Sequence, residues 1–538
     1  MSTSTTSSGN LHASGGAPAQ GHLSEHGGLD RRTLTVPALV FLIIAASAPL
    51  TVLAGGVPTT YAVAGLTGVP LAYVLLGVLL AVFAVGYGAM SARITNAGAF
   101  YAYIADGLGR RQGIGASWLA LVRYNAMQIG LYGLFGFALS SFLEARLGLT
   151  LPWWAAALAG LVLVGVLGVS RVDLSAKVIA VLVALEFLVV IVVDVVSLTV
   201  APEGISAQPL TPSEFLAPGI GALLAFGIAA FMGFESGAIY SEEVKDPARS
   251  VPRATFIAVL IISVFYAVSA WALAMGVGPG QIVAASQELG PDLVFVFLGE
   301  HGGVLLTDIA QVLFITSLLA ALIAFHNAVA RYFFSLGRES VLPRRLGAVG
   351  RRNHAPVAGS LAQSGLAVVL VAVFAVAGLN SELGPLFPVL TLFTWLTNAG
   401  AFGLIFLLAL TSLAVIGHFR RDPGGHSAWV RWIAPAVSGL GLGTVFVLIL
   451  VNFDVLIGAE GPSLLAVVMP AIILATGVLG LVWGEYLRRR RPAVFAGVGS
   501  GRAVGDGRSG TGPQEDAEPG QTVQLEQTVE PERSAEHG

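Results

Sequence analysis

The chain has 538 residues, 55% hydrophobic and only 11% charged, with a mean hydropathy of +0.81 and a net charge of −3. That much apolar surface excludes a water-soluble globular protein; uncharged runs recurring from Val36 to Leu487 indicate a polytopic all-α membrane protein, at about 20 apolar residues per crossing. Cysteine is absent, which excludes disulfides, thiol catalysis and cysteine-ligated metals.

Residues 1–32 are rich in Ser, Thr and Gly, and residues 491–538 in Gly, Glu, Gln and Pro. Neither stretch can bury enough apolar area to offset its ordering entropy, so both are expected to be disordered tails. The first hydrophobic run, from near Thr33, lacks a small-residue cleavage site and reads as an uncleaved first span. Residues 33–490 then form the transmembrane domain. Twelve spans are predicted: Val36–Ala64, Pro70–Ala92, Ser117–Leu143, Pro152–Val169, Leu174–Leu198, Gly219–Tyr240, Thr255–Met275, Val304–Ser335, Ser360–Gly378, Leu386–Ser412, Val430–Leu450 and Leu464–Tyr486.

Lys and Arg test the count. Of 28 such residues, 23 fall on connections that share a side with the amino terminus, and only Arg146 falls on the opposite side. The positive-inside rule then predicts a multi-pass protein of the cell membrane with both termini cytoplasmic. Trp118, Trp429, Trp432 and Trp483 fall near inner boundaries and Trp153 and Trp154 near an outer one, as interfacial aromatics should.

Two spans carry interruptions. Span 1 holds Ser47-Ala48-Pro49-Leu50-Thr51, and proline removes a helix donor and clashes with the preceding turn. Span 6 holds Gly233-Phe234-Glu235-Ser236-Gly237, two glycines around a carboxylate deep in an apolar run. Span 6 comes five spans after span 1, an odd offset, so the two helices run in opposite directions. Matching breaks in oppositely directed helices point to an inverted repeat with its site at the midplane. The repeats would be about 36–199 and 219–412, with about 430–486 appended. The bland reading is a kink at Pro49 and close packing at Gly233 and Gly237.

At these residues the chain resembles the amino acid–polyamine–organocation (APC) permease superfamily. Gly233–Ala254, GFESGAIYSEEVKDPARSVPRA, is similar to that family's sixth-span signature; Asn96–Arg110 and Asn327–Pro343 add two further matches. The likeness covers about Leu34 to Tyr486. It implies a leucine-transporter-type 5+5 inverted repeat plus two extra helices, and secondary active transport of an amino acid or related amine by alternating access, coupled to protons or by exchange. Three departures stand out. Ser47-Ala48-Pro49 replaces the Gly-Ser-Gly common at the first break, Ala229 stands where arginine exchangers carry tryptophan, and span 5 offers Glu186 where some proton-coupled members have lysine.

The substrate site is therefore expected at the two breaks. A carboxylate would meet N–H groups around Ser47, Ala48, Pro49, Leu50 and Thr51, and an ammonium the carbonyls near Ala230, Phe231 and Met232, beside Gly233. Phe231 and Phe234 would contact the substrate, gate it, or simply pack. Glu235, preceded by Phe231, Met232 and Phe234, is the expected proton-coupling group. It would trade its proton near neutral pH, unless it is a permanently protonated structural acid. On span 3, Tyr124, Gln128 and Tyr132 with Asn125 form a polar stripe that either lines the route or ties helices together. Arg123 needs a partner or a way to water, with Glu186 a conceivable mate; His326 offers a polar contact.

No nucleotide-binding GxxxxGK[ST] occurs, so ATP-driven pumping is not expected. No cofactor, resident metal or nucleic-acid partner is expected, nor an enzyme; the partners are a small-molecule substrate, membrane lipids and a proton. A 6+6-type transporter of another solute and a polyamine permease are the alternatives.

Overall fold

The structure is a computed structural model that describes residues 34–94, 96, 98–169, 176–241, 243–350, 355–459, 461 and 463–501. The expectation for residues 1–32 lies outside the described residues. The expected carboxy-terminal tail needs correction at its start: Pro492–Gly497 is helical and the chain is folded to Gly501.

Hydrocarbon offers no partner to a free backbone group, so each apolar run closes its hydrogen bonds within itself as a helix. In order, span 1 is Val36–Ser47 (1a) and Thr51–Ala64 (1b). Span 2 is Val69–Ser91, span 3 Arg110–Leu147, span 4 Trp153–Val169 and span 5 Ala176–Val200. Span 6 is Ile220–Phe231 with a remnant Ser236–Ile239, and span 7 is Pro247–Val277. Span 8 is Val304–Arg338, span 9 Val357–Ala377 and span 10 Val389–Arg421; Trp429–Val451 and Leu464–Arg490 are spans 11 and 12.

Among the described residues, twelve segments are long and apolar enough to cross a membrane, but they are not quite the twelve expected. Span 4 has only 17 helical residues, and Ile282–His301 joins the set instead. That segment is bent at Gly290–Asp292 into two short helices, and the first packs on Val57–Ala64 of span 1b. It resembles a cap laid over 1b, while span 4 packs along spans 3 and 9 as a full member of the bundle.

Burial sorts the helices into centre and rim. The most apolar 18 residues of span 6 are all buried and those of spans 1, 3 and 10 are 72% buried, whereas those of span 12 are only 17% buried. The two interrupted helices are thus central. At the arginine-rich end, Leu34 and Val244 form a single parallel bridge that joins the start of span 1 to the chain leaving span 6. Arg331 of span 8 holds Glu243 there at 2.9 Å.

The segment after span 12 straps that same end. Gly499 and Gly501 donate their amides to Glu339 at 2.9 and 2.8 Å, and Asn96 donates to Glu339 and to the Gly499 carbonyl at 3.2 and 3.1 Å. The Asn96 and Asn327–Pro343 motifs therefore meet each other, with Ser335 bonding both Asn96 and Tyr101. Burial pushes the Glu339 carboxyl above the usual range, against the pull of these donors. Glu339→Ala leaves the two half-buried glycine amides without that partner, at about 0.5–1.5 kcal/mol for each hydrogen bond lost. Chymotrypsin should then cleave at Phe495 several-fold faster; an unchanged rate would mean the strap is held elsewhere.

Candidate functional site

Span 1a ends because Ala48 turns to φ 49° and Pro49 follows. A left-handed alanine costs about 1–2 kcal/mol, and proline disfavours the α region for the residue before it. The helix resumes at Thr51–Gly56 with a wide, π-type turn. Span 6 ends at Met232, whose ψ is 132°, and Gly233 takes φ 108°, open in practice only to glycine. A Cβ on Gly233 would lie 2.7 Å from the Ala46 Cβ, so the two breaks touch. Ser47 joins them: its hydroxyl donates to the Ala230 carbonyl at 2.8 Å and lies 2.6 Å from the Tyr266 hydroxyl. The expected second half-helix of span 6 is a single turn, Ser236–Ile239, too short to present a helix dipole.

A cavity of about 40 Å³ opens beside this junction. Span 1 contributes Ala46, Ser47, Ala48, Thr51, Val52 and Gly56; span 6 contributes Phe226, Ala229 and Ala230. Span 3 supplies Met127 and Leu131, span 8 Ala321 and Phe325, and span 10 Phe393 and Thr397. No charged side chain lines it.

Of the residues expected at the site, Ser47, Ala48, Thr51 and Ala230 line this cavity, and the others do not. Pro49 and Leu50 lie behind it, the Leu50 amide being 3.4 Å from the Glu186 carboxylate. Phe231, Met232 and Phe234 are completely buried, and Phe231 packs on Tyr73 and Phe234 on Phe83. Asn125 donates to the Leu121 carbonyl of its own helix. Gln128 bonds Gln363 and His326, and His326 bonds Ser360 at 2.6 Å. Within the span 3 stripe, Gln128 thus ties span 3 to spans 8 and 9. The helical face beside it, Met127 and Leu131 at i and i+4, borders the cavity. Nothing in the sequence separates those two faces, and Phe226, Phe325, Phe393 and Thr397 look like any other core residues.

Glu235 is not in apolar surroundings. It is fully buried, accepts from Arg123 Nη2 at 2.9 Å and Tyr124 at 2.7 Å, and its other oxygen takes the Gly233 amide at 3.0 Å. The Arg123 guanidinium lies over the Tyr124 ring, 3.6 Å from its centroid, with Phe100 at 5.3 Å. Arg123 is therefore the mate of Glu235 and not of Glu186. Both oxygens of Glu235 are thus engaged, one by Arg123 and Tyr124 and the other by the Gly233 amide.

Two interrupted helices converge with three others on one cavity, the arrangement of a secondary transporter. The chain belongs to the amino acid permease family, whose model matches residues 39–493. It is a multi-pass membrane permease, not an enzyme, as its APC resemblance implied. It is 24% identical over 402 residues to the low-affinity putrescine importer PlaP of Escherichia coli, covering 72% of this chain and 81% of PlaP. It is 27% identical over 326 residues to the branched-chain amino acid permease BcaP of Lactococcus lactis, covering 57% and 68%. The fold matches the crystal structure of a manganese transporter from Eremococcus coleocola at a TM-score of 0.51 and 17% identity, covering 87% of this chain and 99% of that one.

Proposed function

We propose that this permease carries a neutral, apolar L-amino acid, with leucine as the test substrate, and that both termini are cytoplasmic in a 5+5 inverted repeat. The observation that carries the substrate class is the cavity wall: alanines, aliphatic and aromatic groups with only Ser47, Thr51 and Thr397 hydroxyls. A diamine such as putrescine would bury a second ammonium there with no lining carboxylate to face it, which is costly. The amino acid's own charges are met by the main chain freed at the breaks. Ala229 and Ala230 leave room for an aliphatic side chain. As it stands the cavity holds only a few waters, at about 10–15 Å³ each, so the walls part to admit substrate.

PlaP, and a second Escherichia coli relative, PotE, both putrescine transporters by name, favour the amine reading. Competition decides between the two. Excess unlabelled leucine is expected to displace labelled leucine from proteoliposomes, and excess putrescine to leave it in place. Leucine methyl ester should compete about tenfold more weakly, the ~1.4 kcal/mol of one good hydrogen bond to the carboxylate. Displacement by putrescine at equal concentration would transfer the chain to the amine class.

A further inference from the structure

Glu186 lies midway along span 5 and is 2% exposed. Its Oε2 accepts the Ser317 hydroxyl of span 8 at 2.7 Å and lies 3.4 Å from the amide of Leu50, the first N–H after Pro49. Ser317 is 3.0 Å from the hydroxyl of Thr51, a cavity residue. One carboxylate oxygen thus clips span 5 to half-helix 1b and to span 8, a single hydroxyl away from the cavity. Oε1 has no hydrogen-bond partner among the described residues.

Among the described residues, no cation pairs with this acid. Span 1 brings no Lys, Arg, His, Asp or Glu. Span 8 brings Asp308, His326, Arg331 and Arg338; the first three are engaged with Arg146, Ser360 and Glu243, and Arg338 lies at the far end over Phe334. Span 7 brings Tyr266, bonded to Ser47, with Arg249 and Arg253 at its distant start. The helix Leu293–His301 brings Glu300 and His301, 3.8 Å from each other. Asp194, two turns along span 5, bonds Ser269. This contrasts with Glu235, whose cation is built in.

We propose that Glu186 is the coupling residue of the transport cycle, binding the driving proton on Oε1 from one side of the membrane and releasing it to the other. The proposal rests on the amino acid permease reading above. An ionised carboxylate makes hydrogen bonds roughly twice as strong as a neutral acceptor does. A proton on Oε1 leaves Oε2 a neutral acceptor and weakens both clips at once. Span 5 then releases 1b and span 8, two of the elements that wall the cavity and must part for substrate. An isolated charge at this depth is costly, so the ionised, clipped form and the protonated, released form are close alternatives. The N–H and O–H donors already aimed at Oε2 suit a proton better than a metal cation, which would meet hydrogens there.

The test uses full-length protein in proteoliposomes with two readouts: labelled leucine exchange without any gradient, and leucine accumulation under an inward proton gradient with an internal pH dye. Wild type should show both, with proton influx on adding leucine. Glu186→Gln should keep exchange but lose driven accumulation by about tenfold or more, within the usual range for coupling between sites, and lose the proton influx. Glu186→Asp should retain part of it. Three results would overturn the proposal: normal proton-driven accumulation by Glu186→Gln; wild-type accumulation driven by sodium and not by protons; or loss of exchange and of thermal stability in both variants, which would make Glu186 structural. If wild type exchanges putrescine and not leucine, only the substrate reading fails. The same comparison with putrescine then judges Glu186.

Discussion

Glu235→Gln is expected to lower the thermal stability of the purified protein sharply, not simply to uncouple it. The variant leaves Arg123 charged, completely buried and facing a neutral amide. Removing one partner of a buried ion pair typically costs about 3–5 kcal/mol, and replacing both by apolar groups of like volume is often neutral or better. Arg123→Met alone should be comparably damaging, because Glu235 would keep only Tyr124 and the Gly233 amide. The double variant Arg123→Met/Glu235→Gln should recover most of the loss. Thermal unfolding of the four proteins in one detergent forms a double-mutant cycle, with a large coupling energy expected. Full stability in Glu235→Gln together with loss of proton-driven uptake would return the coupling role to Glu235. The expected pattern instead makes the pair a brace. It fixes the span 6 break to span 3 across 112 residues of chain and orients Gly233 through its own amide.

The pair also shows where sequence reasoning stops. Hydropathy located almost every span, since a crossing needs a long apolar run and the chain supplies them with clear ends. Pro49 and Gly233 betrayed the breaks because only special backbone geometries call for those residues there. Which face of a helix meets the cavity is another matter. On span 3, Tyr124, Gln128 and Tyr132 are more polar than Met127 and Leu131, yet the polar face is spent on neighbouring helices. A buried polar group in a bundle must find a partner, and helix rotation, which hydropathy does not encode, decides whether that partner is substrate or protein. The same rotation pairs Arg123 with Glu235 and, among the described residues, leaves Glu186 without a cation, although either pairing satisfies the sequence. The segment 282–301 does not read as a membrane-length stretch, because Gly290-Pro291 signals a turn, and the structure does bend there. The strap at 492–501 was invisible for the opposite reason: its few contacts are backbone amides of glycines in a stretch whose composition resembles a tail.

Gly233→Ala should nearly abolish transport, and far more severely than Gly237→Ala. At Gly233 the backbone has φ 108°, where a Cβ is strained whatever the space around it, at about 1–3 kcal/mol. The space is also taken: the new Cβ would lie 2.7 Å from the Ala46 Cβ and 3.3 Å from the Ala46 carbonyl carbon. Overpacking of that kind adds about 1–3 kcal/mol and must push span 1a away from the span 6 break. The displaced atoms are those next to Ser47, whose bond to the Ala230 carbonyl closes the junction beside the cavity. Gly237 sits one turn later in the Ser236–Ile239 helix, outside the positive-φ set. A Cβ there would meet the tip of Ile43 at 3.1 Å and the Thr255 hydroxyl at 3.3 Å, side-chain atoms that can give by a few tenths of an ångström. Gly237→Ala is therefore expected to keep measurable exchange of labelled leucine in proteoliposomes, while Gly233→Ala falls to background with a lowered melting temperature. Equal damage from the two substitutions would mean that span 6 needs small residues along its length for packing, and that the contact of the two breaks has no special part in transport.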